Sequence, residues 1–213
     1  MSSSGDFAAG PATATGQSPR ERKKADRRER ILGSAMALIE ARGLKGATFE
    51  LIAARAGVSR GTVFNYFPNK QSILVAYFAR QLDALARRVE KKRAGAGFDA
   101  LAEIGFLFTE LAAFAAAHPE LILPISFELL DPNEERSRAA FLALPLVEMF
   151  RDALRRAQSA GQVRLDYSSE RLARSLANAY FITALQWAAY RQDRSVHEEL
   201  AVALRLALDG LRV

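Results

Sequence analysis

The chain has 213 residues, half of them apolar, which is enough to bury one or two hydrophobic cores. It contains no cysteine, so disulfides and thiolate metal sites are excluded and a reducing compartment is compatible with the composition. The net charge of +6 is unevenly distributed, because residues 1–94 hold 18 Lys/Arg against 8 Asp/Glu while residues 95–213 hold 12 against 16. The basic half is therefore suited to a polyanion such as nucleic acid.

The N-terminal residues 1–19 are mainly Ser, Ala, Gly, Thr and Pro, and they predict a disordered tail without the apolar core of a signal peptide. Residues 20–30, RERKKADRRER, contain seven basic and three acidic side chains. They fit either a flexible basic arm or the solvated start of a helix. Apolar residues at helical spacing then predict a first helix over 31–42, which ends at Gly43.

Residues 48–70, TFELIAARAGVSRGTVFNYFPNK, predict two short helices joined by a tight turn. The apolar residues of the first piece are spaced as one face of a helix, at Phe49, Ile52, Ala53 and Ala56. Thr48 can cap this helix through its hydroxyl, and Gly57 supplies the left-handed backbone that a sharp turn needs.

The second helix of this stretch is predicted over 60–67, with Ser59 as its cap and Pro68 as its stop. Val63 and Phe67 point inward in this prediction. The polar outer face then consists of Arg60, Gly61, Thr62, Asn65 and Tyr66. Such a pair of helices is typical of a helix-turn-helix, and an ordinary αα-hairpin is the alternative.

The rest of the chain is also predicted to be helical. Asn69 can cap a long helix over 70–93 that links the two halves of the chain and is broken by Gly95 and Gly97. Further helices are predicted over 98–117, 119–130, 134–160 (which Pro145 can kink), 169–192 and 196–212. No alternating pattern predicts a strand, so the predicted fold class is all-α with about nine helices.

The last two predicted helices are rich in Ala and Leu, which permits close packing of helices. We expect them to pair with their copies as a four-helix bundle, giving a homodimer through residues 169–212. Packing of both helices inside one chain is the alternative.

The stretch 48–70 resembles the TetR family of transcriptional regulators. The residues that carry the resemblance are Thr48, Ile52-Ala53, Ala56-Gly57-Val58-Ser59, Gly61-Thr62, Tyr66-Phe67 and Lys70. The resemblance implies a homodimer that binds a palindromic operator in double-stranded DNA, with the second helix in the major groove. It implies a three-helix DNA-binding domain over 20–69 and a ligand-binding and dimerisation domain over 70–213.

The resemblance also assigns roles to single residues. Arg60, Thr62, Asn65 and Tyr66 would contact bases or backbone, and Gly61 would allow close approach of the backbone. Thr48 and Lys70 would contact the phosphate backbone, and Ser59 would belong to the same DNA-binding surface. Phe64 departs from the family, which often has a DNA-contacting Tyr here, so its role reduces to an apolar contact. Arg60 suits a bidentate contact to guanine, and a phosphate contact is the alternative.

A small-molecule pocket in the second half is likewise implied by the resemblance. An apolar or aromatic effector is expected, because few charges interrupt the aromatic residues there. The candidate contacts are Phe106, Thr109, Phe127, Phe150, Tyr180, Thr183 and Trp187. An ordinary aromatic core is the alternative.

Other classes of protein explain the pattern less well. An enzyme is not expected, because the chain has only two histidines, far apart, and no glycine-rich phosphate loop or metal-ligand cluster. No cofactor or metal is predicted. No uncharged apolar run approaches the roughly 20 residues of a membrane-spanning helix, so a cytoplasmic location without a membrane partner is expected. A non-specific DNA-coating protein or a helical scaffold would leave the acidic, apolar second half or the helix-turn-helix pattern unexplained.

Overall fold

The computed structural model describes residues 18–95, 97–190 and 193–211, and these residues form ten helices and no strand. In chain order the helices are α1 (Pro19–Gly46), α2 (Phe49–Ala56), α3 (Arg60–Tyr66), α4 (Lys70–Arg93), α5 (Ala100–Ala117), α6 (Pro119–Leu129), α7 (Glu134–Leu142), α8 (Leu146–Ser159), α9 (Ser169–Tyr190) and α10 (Val196–Asp209). The all-α prediction is confirmed. The predicted disordered tail falls outside the described residues, except for Ser18 and Pro19.

The helix predicted over 134–160 is wrong as a single element. α7 ends at Leu142 and α8 begins at Leu146, with Pro145 between them. Proline has no N–H to donate, its ring clashes with the carbonyl four residues earlier, and it disfavours helical geometry at the residue before it. The predicted kink is therefore a complete break, which accounts for a tenth helix among the described residues.

The basic segment over 20–30 is the solvated start of α1. Ser18 caps this helix: its hydroxyl accepts a hydrogen bond from the backbone N–H of Glu21, whose carboxylate accepts from the N–H of Ser18 in return. This capping box satisfies donors that the helix itself leaves unpaired. The predicted end at Gly43 marks an interruption, with φ 69° and ψ 170°, and helical residues continue to Gly46.

The described residues form two compact units, the first ending at Arg60 and the second beginning at Gly61. In the first unit α1 packs against α2, and both helices contribute buried apolar side chains, among them Ile31, Leu32, Ala35 and Ile52. In the second unit α9 packs between α8 and α10, and α5 packs against α8 and α10. The domain limits 20–69 and 70–213 stay a prediction.

Helix α5 is long and apolar enough to cross a membrane by composition alone, with a mean hydropathy of 1.6. Its packing against α8 and α10 gives that apolar surface a place in the core. Glu103 on this helix is buried and accepts hydrogen bonds of 2.7–2.8 Å from Arg93 and Arg156. These bonds tie α5 to the end of α4 and to α8. The hydrogen bonds that Arg93 donates to Glu103 raise the pKa of Arg93 above its usual value.

Candidate functional site

Backbone hydrogen bonds close the turn after α2. Thr48 caps α2 as predicted, since its hydroxyl accepts from the N–H of Leu51 at 3.3 Å. Gly57 has left-handed backbone angles, φ 63° and ψ 43°. The N–H groups of Gly57 and Val58 donate back to the carbonyls of α2, at 3.3 and 3.0 Å. A residue with a side chain would be strained in this conformation. Gly57 therefore ends α2 sharply.

Arg60, at the start of α3, forms an ion pair on the protein surface. Its Nε lies 2.9 Å from Oε1 of Glu50, and the two side chains are 62% and 60% exposed. The pKa of the Glu50 carboxyl is lowered, mainly by a hydrogen bond from the backbone N–H of Glu50 and to a smaller extent by the positive charge of Arg60. Because both partners are exposed to solvent, the pair is weak and the guanidinium can exchange the carboxylate for another acceptor.

The other predicted DNA contacts lie on α3 or directly beside it. The inward direction predicted for Val63 and Phe67 is confirmed, since both are buried. Phe64 is 42% exposed, so an aromatic ring stands on the outer surface of the helix. The exposed or half-buried positions on α3 are Arg60, Gly61, Thr62, Phe64, Asn65 and Tyr66. Ser59, which is exposed, precedes α3, and Lys70 is the first residue of α4.

Asn69 caps α4 as predicted, because its side-chain oxygen accepts from the N–H of Ser72 at 2.7 Å. Its side-chain nitrogen donates to the buried carboxylate of Glu128 on α6 at 2.9 Å. Arg136 on α7 donates to the same carboxylate oxygen at 2.7 Å, and this bond raises the pKa of Arg136 above its usual value. Glu128 therefore joins the start of α4 to α6 and α7.

An apolar cavity of about 440 Å³ lies among α4, α5, α6, α9 and the junction of α7 with α8. Its apolar lining includes Phe78, Phe114, Ile125, Leu129, Leu144, Leu146 and Phe181. Its rim carries exposed large apolar side chains, at Leu130, Phe141 and Ile182. The break at Pro145 contributes to this cavity, because it places Leu144 and Leu146 on either side of a bend in the lining.

The cavity has few polar groups. The hydroxyl of Ser126 donates to the carbonyl of Ile122 at 2.9 Å, so it is already satisfied within α6. Tyr180 is buried, and desolvation raises the pKa of its hydroxyl, which keeps the group neutral. Asn178 is exposed at the edge. Such a lining favours an apolar ligand with one or two neutral hydrogen-bonding groups.

The structure brings only Tyr180 of the predicted ligand residues into this cavity. Thr183 and Trp187 line a separate groove of about 300 Å³ between α9 and α10. Phe150 is buried against Phe108, with ring centroids 5.4 Å apart, and Phe127 is 64% exposed.

Two further candidates also lie elsewhere. Thr109 is exposed and donates to the carbonyl of Gly105 at 3.0 Å. Phe106 lies beside Lys92 and Arg88 at the far end of α4. Most of the lining was not predicted from the sequence, because it comes from five separate segments. The break at Pro145 was the signal in the sequence that could have indicated part of it.

Comparison with known proteins agrees with this architecture. Residues 31–77 match the family of bacterial regulatory proteins, tetR family, and residues 79–210 match the C-terminal domain of TetR/AcrR family transcriptional repressors. The HTH-type transcriptional repressor KstR of Mycobacterium tuberculosis is 26% identical over 185 residues, covering 86% of this chain and 81% of KstR.

Solved structures show the same fold. FadR of Thermus thermophilus, a TetR family transcriptional repressor solved in complex with lauroyl-CoA, is 41% identical, with 87% of this chain and 95% of that chain covered and a TM-score of 0.79. FadR of Bacillus subtilis is 20% identical with a TM-score of 0.67 and shares the fold. This chain therefore belongs to the TetR/AcrR family of DNA-binding transcriptional regulators.

Proposed function

We propose that this protein is a homodimeric, cytoplasmic repressor that binds a palindromic operator through α3 and releases it when a long-chain fatty acyl-CoA fills the apolar cavity. The observation that carries the effector proposal is the cavity itself. Its volume of about 440 Å³ lies in the range of small-molecule sites, and its lining is apolar with few polar groups.

On the DNA side, we infer that Arg60, Thr62, Asn65 and Tyr66 read base edges. These side chains are exposed or half-buried on the outer surface of α3, whereas Val63 and Phe67 are buried. Arg60 supplies the planar guanidinium that suits guanine in the major groove. Gly61 allows close approach of the backbone, and Phe64 provides an apolar contact to a thymine methyl group or a sugar.

Phosphate contacts are assigned to residues that flank this surface. Thr48 stands at the start of α2, Ser59 before α3 and Lys70 at the start of α4. The exposed basic start of α1 adds positive charge to the first unit. Neutralised phosphates supply much of the affinity for DNA, and base contacts supply the preference for one sequence.

The class of effector is inferred from the more similar of the two FadR proteins. Thermus thermophilus FadR, which is 41% identical, was solved with lauroyl-CoA. A saturated acyl chain needs an apolar site of this kind and makes no demand for buried hydrogen bonds. The sequence-based expectation of an apolar effector is thereby narrowed to an acyl thioester.

The test is a titration of an operator complex with lauroyl-CoA. An operator fragment selected from random DNA by this protein is labelled, and its binding is followed by fluorescence anisotropy. We expect lauroyl-CoA to weaken operator binding by about 10- to 100-fold, and free CoA to have no such effect. If calorimetry detects binding of lauroyl-CoA while operator affinity stays the same, lauroyl-CoA is not the effector that releases the DNA.

A matched pair of variants ties this response to the cavity. Val147 lines the cavity, whereas Met149 on the same helix lines a different, polar depression. Val147→Phe should fill part of the cavity and reduce the response to lauroyl-CoA without changing operator affinity. Met149→Phe should respond as the wild type does, and an equal loss of response in both variants would refute the cavity as the effector site.

A further inference from the structure

A second depression, of about 400 Å³, runs along the surface between α4 and α5. Its floor is apolar, with Leu82, Leu85 and Leu111 all buried. Polar side chains line its walls, at Gln81, Arg88, Glu110 and His118. This depression, called here the α4–α5 groove, is therefore amphipathic along its length.

One end of the groove meets the apolar cavity. Phe78 and Phe114 line both spaces, and their ring centroids lie 4.7 Å apart. The ring of His118 lies 5.1 Å from that of Phe114 on the groove side. These two aromatic side chains therefore stand between the cavity and the groove.

The other end of the groove carries Arg88 and Glu110, and Lys92 lies just beyond its lining. Arg88 forms an ion pair with Glu110, with 2.5 Å between Nη2 and Oε2, and its side chain is 53% exposed. Arg88 and Lys92, one helical turn apart, flank the ring of Phe106 at 5.9 and 4.8 Å from the ring centre. At the helical rise, Arg88 lies about 15 Å along α4 from Phe78.

Resting on the acyl-CoA function proposed above, we propose that the α4–α5 groove binds the polar arm of the effector, with Arg88 and Lys92 pairing with its phosphates. From the cavity along the groove, the protein surface is first apolar, then amphipathic, and finally carries the cations Arg88 and Lys92. The order along an acyl-CoA is the same: an acyl chain, a linear pantetheine arm of amides and methylenes, and phosphate groups. Phosphates exchange with Glu110 for the guanidinium of Arg88, since guanidinium binds both anions in the same fork geometry.

The opposite rim of the cavity does not offer this chemistry. Its large exposed lining residues Leu130, Phe141 and Ile182 are apolar. Arg136 nearby on α7 pairs with two carboxylates, Glu128 and Asp131, and Glu128 is buried, whereas Arg88 pairs with the single carboxylate of Glu110. A phosphate placed at that apolar rim would gain no charged partner from these side chains. The α4–α5 groove is therefore the better path for the charged part of the ligand.

The test compares ligands with and without phosphates in a matched pair of double variants. Arg88→Gln/Lys92→Gln removes the two groove cations, and Arg87→Gln/Lys91→Gln removes two exposed cations from adjacent positions on the same helix. Binding of lauroyl-CoA and of free laurate is measured by calorimetry. We expect the groove variant to lose about tenfold or more in affinity for lauroyl-CoA and to keep its affinity for laurate, whereas the control should change by less than about twofold for both.

A single variant is expected to raise the affinity for lauroyl-CoA instead of lowering it. Glu110→Gln releases Arg88 from its carboxylate, so lauroyl-CoA should bind about two- to fivefold more tightly while laurate binding stays constant. If the wild type binds lauroyl-CoA and both double variants bind it equally well, the groove assignment is wrong although the effector class stands. If the wild type does not bind lauroyl-CoA, the proposed effector is wrong and the groove assignment falls with it.

Discussion

At the scale of single residues, Arg60 has one partner in the free protein and another in the proposed DNA complex. In the free protein it is paired with Glu50, 2.9 Å away on the adjacent helix α2. In the proposed complex the same guanidinium contacts DNA, where the carboxylate would repel phosphates. The pair holds the arginine in position without burying it, and Glu50 is expected to limit the affinity for DNA.

Glu50→Gln tests this limit. The variant removes a negative charge beside Arg60, so binding to both operator and random DNA should tighten by about two- to fivefold at low salt. Anisotropy titrations at two salt concentrations provide the measurement. Glu40→Gln, an equal charge change at an exposed site on α1, is the control, and an equal gain there would assign the effect to net charge rather than to Arg60.

Arg60→Ala separates base reading from phosphate binding. Loss of a bidentate guanine contact costs about 1–3 kcal/mol, so operator affinity should fall by about 10- to 100-fold and random DNA should be affected much less. Competition between labelled operator and unlabelled random DNA measures the difference. An equal loss on both DNAs would show that Arg60 is only a phosphate anchor.

At the scale of helices, Glu128 of α6 connects the start of α4 with α7. Its carboxylate accepts from Asn69, the cap of α4, and from Arg136 on α7. Residues that neighbour Glu128 on α6, Ser126 and Leu129, line the cavity. A ligand that displaces α6 or α7 therefore acts directly on the start of α4. Coupling of this kind requires the ligand to prefer one arrangement of these helices over the other.

Glu128→Gln should weaken that coupling. The neutral amide can still accept from Asn69, but it loses the charge that holds Arg136. We expect operator affinity without ligand to change little, and the ratio of operator affinities without and with lauroyl-CoA to fall by about fivefold or more. Glu135→Gln, at an exposed acidic residue of α7, serves as the control. An unchanged ratio in Glu128→Gln would exclude this connection as part of the coupling.

At the scale of the whole molecule, helices α9 and α10 present an exposed apolar surface. Ile182 on α9 and Val202 and Leu206 on α10 are 47–69% exposed. The groove between the two helices has Val202, Ala203 and Leu206 on its α10 side. A second copy of the same surface would bury these side chains in an isologous four-helix arrangement, as the Ala- and Leu-rich sequence predicts.

Val202→Glu/Leu206→Glu tests the proposed homodimer. Placing charges on the surface should give a monomer by analytical ultracentrifugation and weaken operator binding by about 100-fold, because two half-sites are no longer bound together. Leu165→Glu changes a residue that is 78% exposed in the connection between α8 and α9, and it should leave both properties intact. A dimeric Val202→Glu/Leu206→Glu protein would place the dimer contact elsewhere.

The sequence by itself determined the features that depend on neighbouring residues. The caps Thr48 and Asn69, the turn at Gly57 and both ends of α4 follow from interactions within a few residues, and the structure confirms each of them. The helix-turn-helix follows from the same local pattern, whereas the family was indicated by the resemblance of residues 48–70 to TetR regulators. The helix predicted as a single element over 134–160 was wrong for a local reason, because the chain leaves helical geometry around Pro145.

The tertiary structure alone decided where the cavity lies. Its lining comes from α4, α5, α6, α9 and the α7–α8 junction, which are separate segments of the sequence. Helical spacing does not distinguish a residue packed in the core from one that borders an empty space. Phe150 and Tyr180 are both buried aromatic residues, yet only Tyr180 faces the cavity. The ion pair of Arg60 with Glu50 and the bonds of Glu128 likewise join different helices. Periodicity gives the buried side of each helix, and only packing decides which neighbour that side contacts.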